Sequence, residues 1–99
     1  MSKLRATIFV GAVEVAKGEP LETISVDITG SHLETAAVSG SAQEVAGNIV
    51  RKMRLHAEID CYVAWGENPV ADVNSMPLDA TNPEYFDIVC GHKISVLAR

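Results

Sequence analysis

Three histidines, two cysteines and a spread of carboxylates are the groups in this 99-residue sequence that could do chemistry. His32, His56 and His92 fall on three separate segments, with no H-x-x-x-H or C-x-x-C spacing, so no zinc set is preformed in the sequence. Cys90 and His92 form a C-x-H pair, too weak a signal to set against an ordinary turn histidine. A Cys–His nucleophile needs a partly exposed thiolate in positive surroundings. Cys61 and Cys90 instead follow or precede Tyr-Val and Ile-Val neighbours, and two buried free thiols are expected; a Cys61–Cys90 disulfide is the alternative. Glu58, Asp60, Glu67, Asp72, Asp79, Glu84 and Asp87 fall on the polar side of strands or in turns. A paired-carboxylate hydrolase would need two of them held across a cleft, and solubility is the simpler purpose. The Asp-x-Asp-x-Asp calcium loop and both glycine-rich phosphate loops are missing. No catalytic, cofactor-binding or metal-ligating residue is assigned, and no enzymatic activity is expected.

Two-residue periodicity must position whatever work these groups do. From Met53 to Trp65 every odd position is apolar, while the even positions carry Arg54, His56, Glu58, Asp60, Tyr62 and Ala64. Side chains on a strand alternate between faces, so this is the pattern of a half-buried strand. Thirteen residues are long for one strand, and a break is expected near Glu58-Ile59-Asp60. Ile24, Val26 and Ile28 alternate likewise, ended by Gly30-Ser31. Phe86, Ile88 and Cys90, then Ile94, Val96 and Ala98, predict a hairpin over 85–98 with its tip at Cys90–Lys93. Leu4–Val10 and Ala12–Val15 read as the first strands, with Gly11 as a kink and Lys17-Gly18-Glu19-Pro20 as a turn. Ser41-Ala42-Gln43-Glu44 has the form of a capping box. Gly47-Asn48 limits it to one helical turn at 42–46, with strand from about 49. In Cys61–Leu78, Gly66-Glu67-Asn68-Pro69 should reverse the chain after an inward Trp65, with Glu67 in solvent.

These elements predict one all-β domain over 1–99, an antiparallel β-sandwich or jelly-roll-like barrel with at most one short helical turn. A chain of this length buries roughly two-thirds of its unfolded surface, enough for one modest core. Aromatics make up 5% of residues, so aliphatic side chains must fill that core. The formal charge is −5, which does not favour nucleic acid. The short cluster Arg51-Lys52-Arg54 lies in an alternating segment and reads as a solvated strand face. No leader is expected, and no apolar stretch reaches the ~18 residues of a membrane span. Ile8-Phe9-Val10 is the candidate partner-contact surface, with core strand as the competing role.

The second half carries a further pattern. Val50-Arg51 and Arg54-Leu55-His56-Ala57 lead into Asp60-Cys61-Tyr62-Val63-Ala64-Trp65-Gly66, then Asn68-Pro69-Val70-Ala71 and Ser75-Met76-Pro77-Leu78. Glu84-Tyr85-Phe86 and Gly91-His92-Lys93-Ile94-Ser95-Val96 close it. This pattern, over about residues 50–97, resembles small virion structural proteins of tailed bacteriophages and prophages. The resemblance implies a capsid decoration or cement protein that binds the major capsid protein, braces the head shell and forms a homo-oligomer. It implies a place on the capsid surface of the virion after synthesis in the bacterial host cytoplasm. A ligand- or receptor-binding β-module of a virion, or a head–tail joining protein, is the alternative.

Overall fold

A computed structural model of the chain describes residues 2–9, 20–39 and 50–99. Eight strands follow in order: β1 Lys3–Phe9, β2 Pro20–Asp27, β3 Leu33–Glu34, β4 Val50–Ala57, β5 Cys61–Gly66, β6 Met76–Leu78, β7 Glu84–Val89 and β8 Lys93–Ala98. Among the described residues there is no helix. The strands form two four-stranded antiparallel sheets, β2-β1-β4-β7 and β3-β8-β5-β6, arranged like a sandwich. The all-β expectation therefore holds. The expected strand at 12–15, the turn residues 17–19 and the helical turn at 42–46 lie outside the described residues, whereas Pro20 opens β2.

The two-residue rhythm builds the core. Leu4, Ala6 and Ile8 of β1 alternate inward beside Met53, Leu55 and Ala57 of β4. Cys61 and Val63 of β5, with Ile94 and Val96 of β8, face them from the second sheet. Burial of aliphatic side chains is the main stabilising term, on the order of 1.5–3 kcal/mol for each large one. Trp65 packs at the edge of this core, with its ring 5.0 Å from that of Phe86 across the sandwich.

The long alternating run is broken where expected, and the break has a specific job. Residues 58–60 carry the chain from β4 in the first sheet to β5 in the second. Odd positions stay inward on both sides of the crossing, except that Ile59 lies in the bend and is exposed. The inward assignment of Ile59 is thus corrected: a residue in a crossing has no sheet face to bury against.

The hairpin expected over 85–98 is also corrected. β7 pairs with β4 in the first sheet, whereas β8 pairs with β5 and β3 in the second. The turn between them arches over the end of the core. Gly91 adopts φ +90° there, a conformation open to glycine and strained for other residues. Its N–H donates to the Val38 carbonyl at 2.8 Å, and the Val38 N–H donates to the His92 carbonyl at 2.9 Å. An arch and a hairpin both place Ile88 and Ile94 in the core, so alternation alone does not separate them.

The thiols are free, and their environments differ. Cys61 is fully buried, but Cys90 lies in the arch and is only half-buried, which corrects its expected burial. Cys61 opposes Ala98, whereas Cys90 lies beyond Lys93, which opposes Gly66. The two thiols are thus at opposite ends of the ladder, five steps or roughly 16 Å of strand apart.

Candidate docking surfaces

The outward residues of the first sheet form a broad face over which no other described element packs. Strand parity places Lys3, Arg5 and Thr7 of β1 on it, with Lys52, Arg54 and His56 of β4 and Tyr85 and Asp87 of β7. Four of the chain's eight lysines and arginines (Lys3, Arg5, Lys52 and Arg54) therefore share one face of an acidic protein. Arg51, the neighbour of Lys52, has the opposite parity and faces inward; its buried Nε has no hydrogen-bond partner among the described residues. The solvated-face expectation for Arg51-Lys52-Arg54 is corrected for Arg51, because period-two geometry separates sequence neighbours.

Three of the four cations on this face have carboxylate partners. Lys3 Nζ meets Asp27 at 2.7 Å, its direct ladder partner on β2. Arg5 meets Glu58 at 3.0 Å, and Lys52 meets Asp87, its ladder partner on β7. Hydrogen bonding to Lys3 holds the Asp27 carboxyl below its usual range. The Lys3 backbone amide, then the Arg5 guanidinium, do the same for Glu58. All these partners are exposed, so solvent screening keeps each pair weak.

Arg54 differs. Its ladder neighbours are Thr7 on β1 and Tyr85 on β7, and neither is a carboxylate. Among the described residues no carboxylate lies within ion-pair distance of it, and no side chain accepts from its guanidinium. Tyr85 beside it is half exposed. An arginine and a tyrosine side by side on a sheet face have the composition of a contact hot spot. Composition and spacing do not reveal this pairing, because it depends on β4–β7 register.

The opposite face is built differently. Ser95 points outward from β8 yet is fully buried, because the loop after β5 folds over it. The Ser95 hydroxyl accepts from the Ala71 N–H at 2.9 Å and lies 3.4 Å from His32 Nδ1. Buried Pro69 and Ala71 seat the loop, while Asp72 and Ser75 close it with three bonds of 2.8–3.0 Å to backbone N–H groups. The residues between these anchors project outward: Val70 is 57% exposed and Val73 70%. Glu67 and Asp72 flank them, and neither has a cation partner among the described residues. The stretch from Gly66 to Asn74 is thus the turn expected after Trp65 and also an ordered, acidic, apolar projection. Period-two reasoning missed this second role, since the anchoring serine is 20 or more residues away in sequence.

At the rim, Arg99 ties three segments together. Its guanidinium meets Asp79 at 2.7 Å and Asp60 at 3.5 Å and lies 5.8 Å from the centre of the Tyr62 ring. Behind it, burial pushes the Cys61 thiol up to about 11, more than Arg99 pulls it down, so the group stays protonated. The three histidines lie apart, at the bend before β3, on the outer face of β4 and in the arch. Among the described residues no three His, Cys, Asp or Glu side chains are grouped to hold a metal ion.

Of the candidate contact residues, Ile8 has no exposed surface and takes the competing role of core strand. Phe9 follows a register shift, is half-buried, and belongs to the outer side rather than the core cluster. Val10 lies outside the described residues. Comparison of the chain with family models, curated proteins and solved structures finds no match.

Proposed function

We propose that this chain is a virion structural protein of a tailed phage or prophage, and that it decorates the capsid and braces the head shell by contact alone. The observation that carries the reading is the pattern over 50–97, pieces of which lie on the outer sides of the two sheets. Arg54 and Tyr85 lie side by side on the outer face of the first sheet, over which no other described element packs. Asn68-Pro69-Val70-Ala71 form part of the ordered loop on the opposite face, with Pro69 and Ala71 as its buried anchors and Val70 exposed. Preorganised surfaces lose little entropy on binding, which suits a protein whose work is to hold neighbours together. A stacking platform for a sugar or receptor has less support, because Trp65 and Phe86 pack against each other and against the core.

The reading expects a major capsid protein to be encoded beside this gene, and the test is co-sedimentation with shells assembled from that protein. The purified chain should pellet with the shells at a saturable ratio and raise the temperature at which they disrupt. A chain that stays in the supernatant at every concentration, and leaves shell disruption unchanged, overturns the reading.

A further inference from the structure

We infer that copies of this chain associate head to tail, with the acidic 67–75 loop of one copy seated on the Arg54–Tyr85 face of the next. The inference goes beyond shell binding and holds for a contact protein of any origin. Charge complementarity carries it. On the outer face of the first sheet, Arg54 is the cation left without a carboxylate among the described residues. On the outer side of the second sheet, Glu67 and Asp72 are acids left without a cation among them. A bidentate pair between Arg54 of one copy and Glu67 of the next would satisfy both groups, with Asp72 adding charge nearby.

Apolar complementarity points the same way. Val70 and Val73 stand out from the loop beside the acids, and half-exposed Tyr85 lies beside the arginine on the receiving face. The loop is held to β8 through Ser95 and by its own Asp72–Ser75 bonds, so it presents its valines without an ordering cost. The two surfaces lie on opposite outer faces of the sandwich. Each copy thus offers one donor loop and one receiving face, which makes the contact heterologous: it propagates into a ring or an open stack rather than closing as a two-fold dimer.

Sedimentation velocity on the full chain, from low concentration up to about 1 mM, tests this. Wild type should form multimers larger than dimers as concentration rises, and added salt should weaken them, since exposed charges are screened. Arg54→Glu should weaken association roughly tenfold or more, as should Glu67→Lys, which leaves the Asp72 bonds of the loop in place. An equimolar mixture of the R54E and E67K chains should recover association, because the reversed charges then match. Far-UV circular dichroism and thermal melting report whether each variant folds. If R54E folds poorly, Val73→Lys, which sets a cation against Arg54 from a solvent-exposed site, should weaken association likewise, and unchanged association would overturn the inference. A monomer at every concentration overturns the inference, as does a closed dimer or an R54E chain that associates like wild type. Shell co-sedimentation on the same variants reads shell binding separately, so either proposal can fail alone.

Discussion

Cys61 and Cys90 show how fold position sets the chemistry of a residue. Cys61 is sealed inside the sandwich, and its raised pKa leaves almost no thiolate near neutral pH. Cys90 is half-buried in the arch between β7 and β8. A thiol reagent at pH 8 should therefore modify one cysteine quickly in the native protein and the second only on unfolding. Mass spectrometry should assign the fast site to the peptide carrying Cys90; fast labelling of Cys61 would contradict its burial. Gly91 makes a different demand. At φ +90° a side chain is strained although nothing crowds the site, so the cost of Gly91→Ala is a backbone cost. It should destabilise the protein by about 1 kcal/mol or more, read by urea denaturation. An unchanged midpoint would mean that the arch does not need this conformation.

At the scale of elements, the connections carry as much of the architecture as the strands do. Glu58, at the crossing from β4 to β5, accepts from the Lys3 N–H at 2.8 Å and from Arg5 at 3.0 Å. Its carboxyl is held below the ordinary 4.5, so the unfolded chain takes up a proton there first as pH falls. The stabilisation is present above about pH 4.5 and is lost as pH falls through the lowered value. Glu58→Gln lacks the ionised form throughout. The stability gap between wild type and variant should be widest above pH 4.5 and close below it, as followed by denaturation across pH; a gap independent of pH would remove the role given to the charge. The 67–75 loop depends on Ser95 in a similar way. Ser95→Ala leaves the Ala71 N–H without its acceptor in a buried place and should cost about 1–3 kcal/mol. Hydrogen exchange at the Ala71 amide should accelerate with it, and protection retained in the variant would show that other contacts hold the loop.

At the scale of the molecule, both sheets contribute to one core, so neither has a reason to persist without the other. Ladders join strands far apart in sequence: β1 pairs with β4, β4 with β7 and β3 with β8. Loops must close before such contacts form, and refolding in roughly milliseconds to seconds is expected. Trp65, the single tryptophan, lies at the junction of the two sheets against Phe86. Its fluorescence and the far-UV signal should change together on unfolding, as in a two-state transition. Separate transitions would mean that the sheets are independent units. The same architecture leaves two unlike outer faces, and the proposed head-to-tail contact rests on that asymmetry.

The sequence by itself determined which side of the alternating strands turns inward. The rhythm of Met53, Leu55, Ala57, Cys61 and Val63 is a local property of the chain, because a strand turns each side chain over relative to the last. The break at 58–60 and the reversal after Trp65 were legible for the same local reason. Only the tertiary structure decided which strand lies beside which. An arch and a hairpin bury the same alternate residues, so β7 and β8 could be told apart as members of different sheets only from their ladders. The pairing of Arg54 with Tyr85 and the seating of Ala71 on Ser95 join segments far apart in the chain. Such contacts depend on register and on the packing of the whole core, and no short-range pattern encodes them.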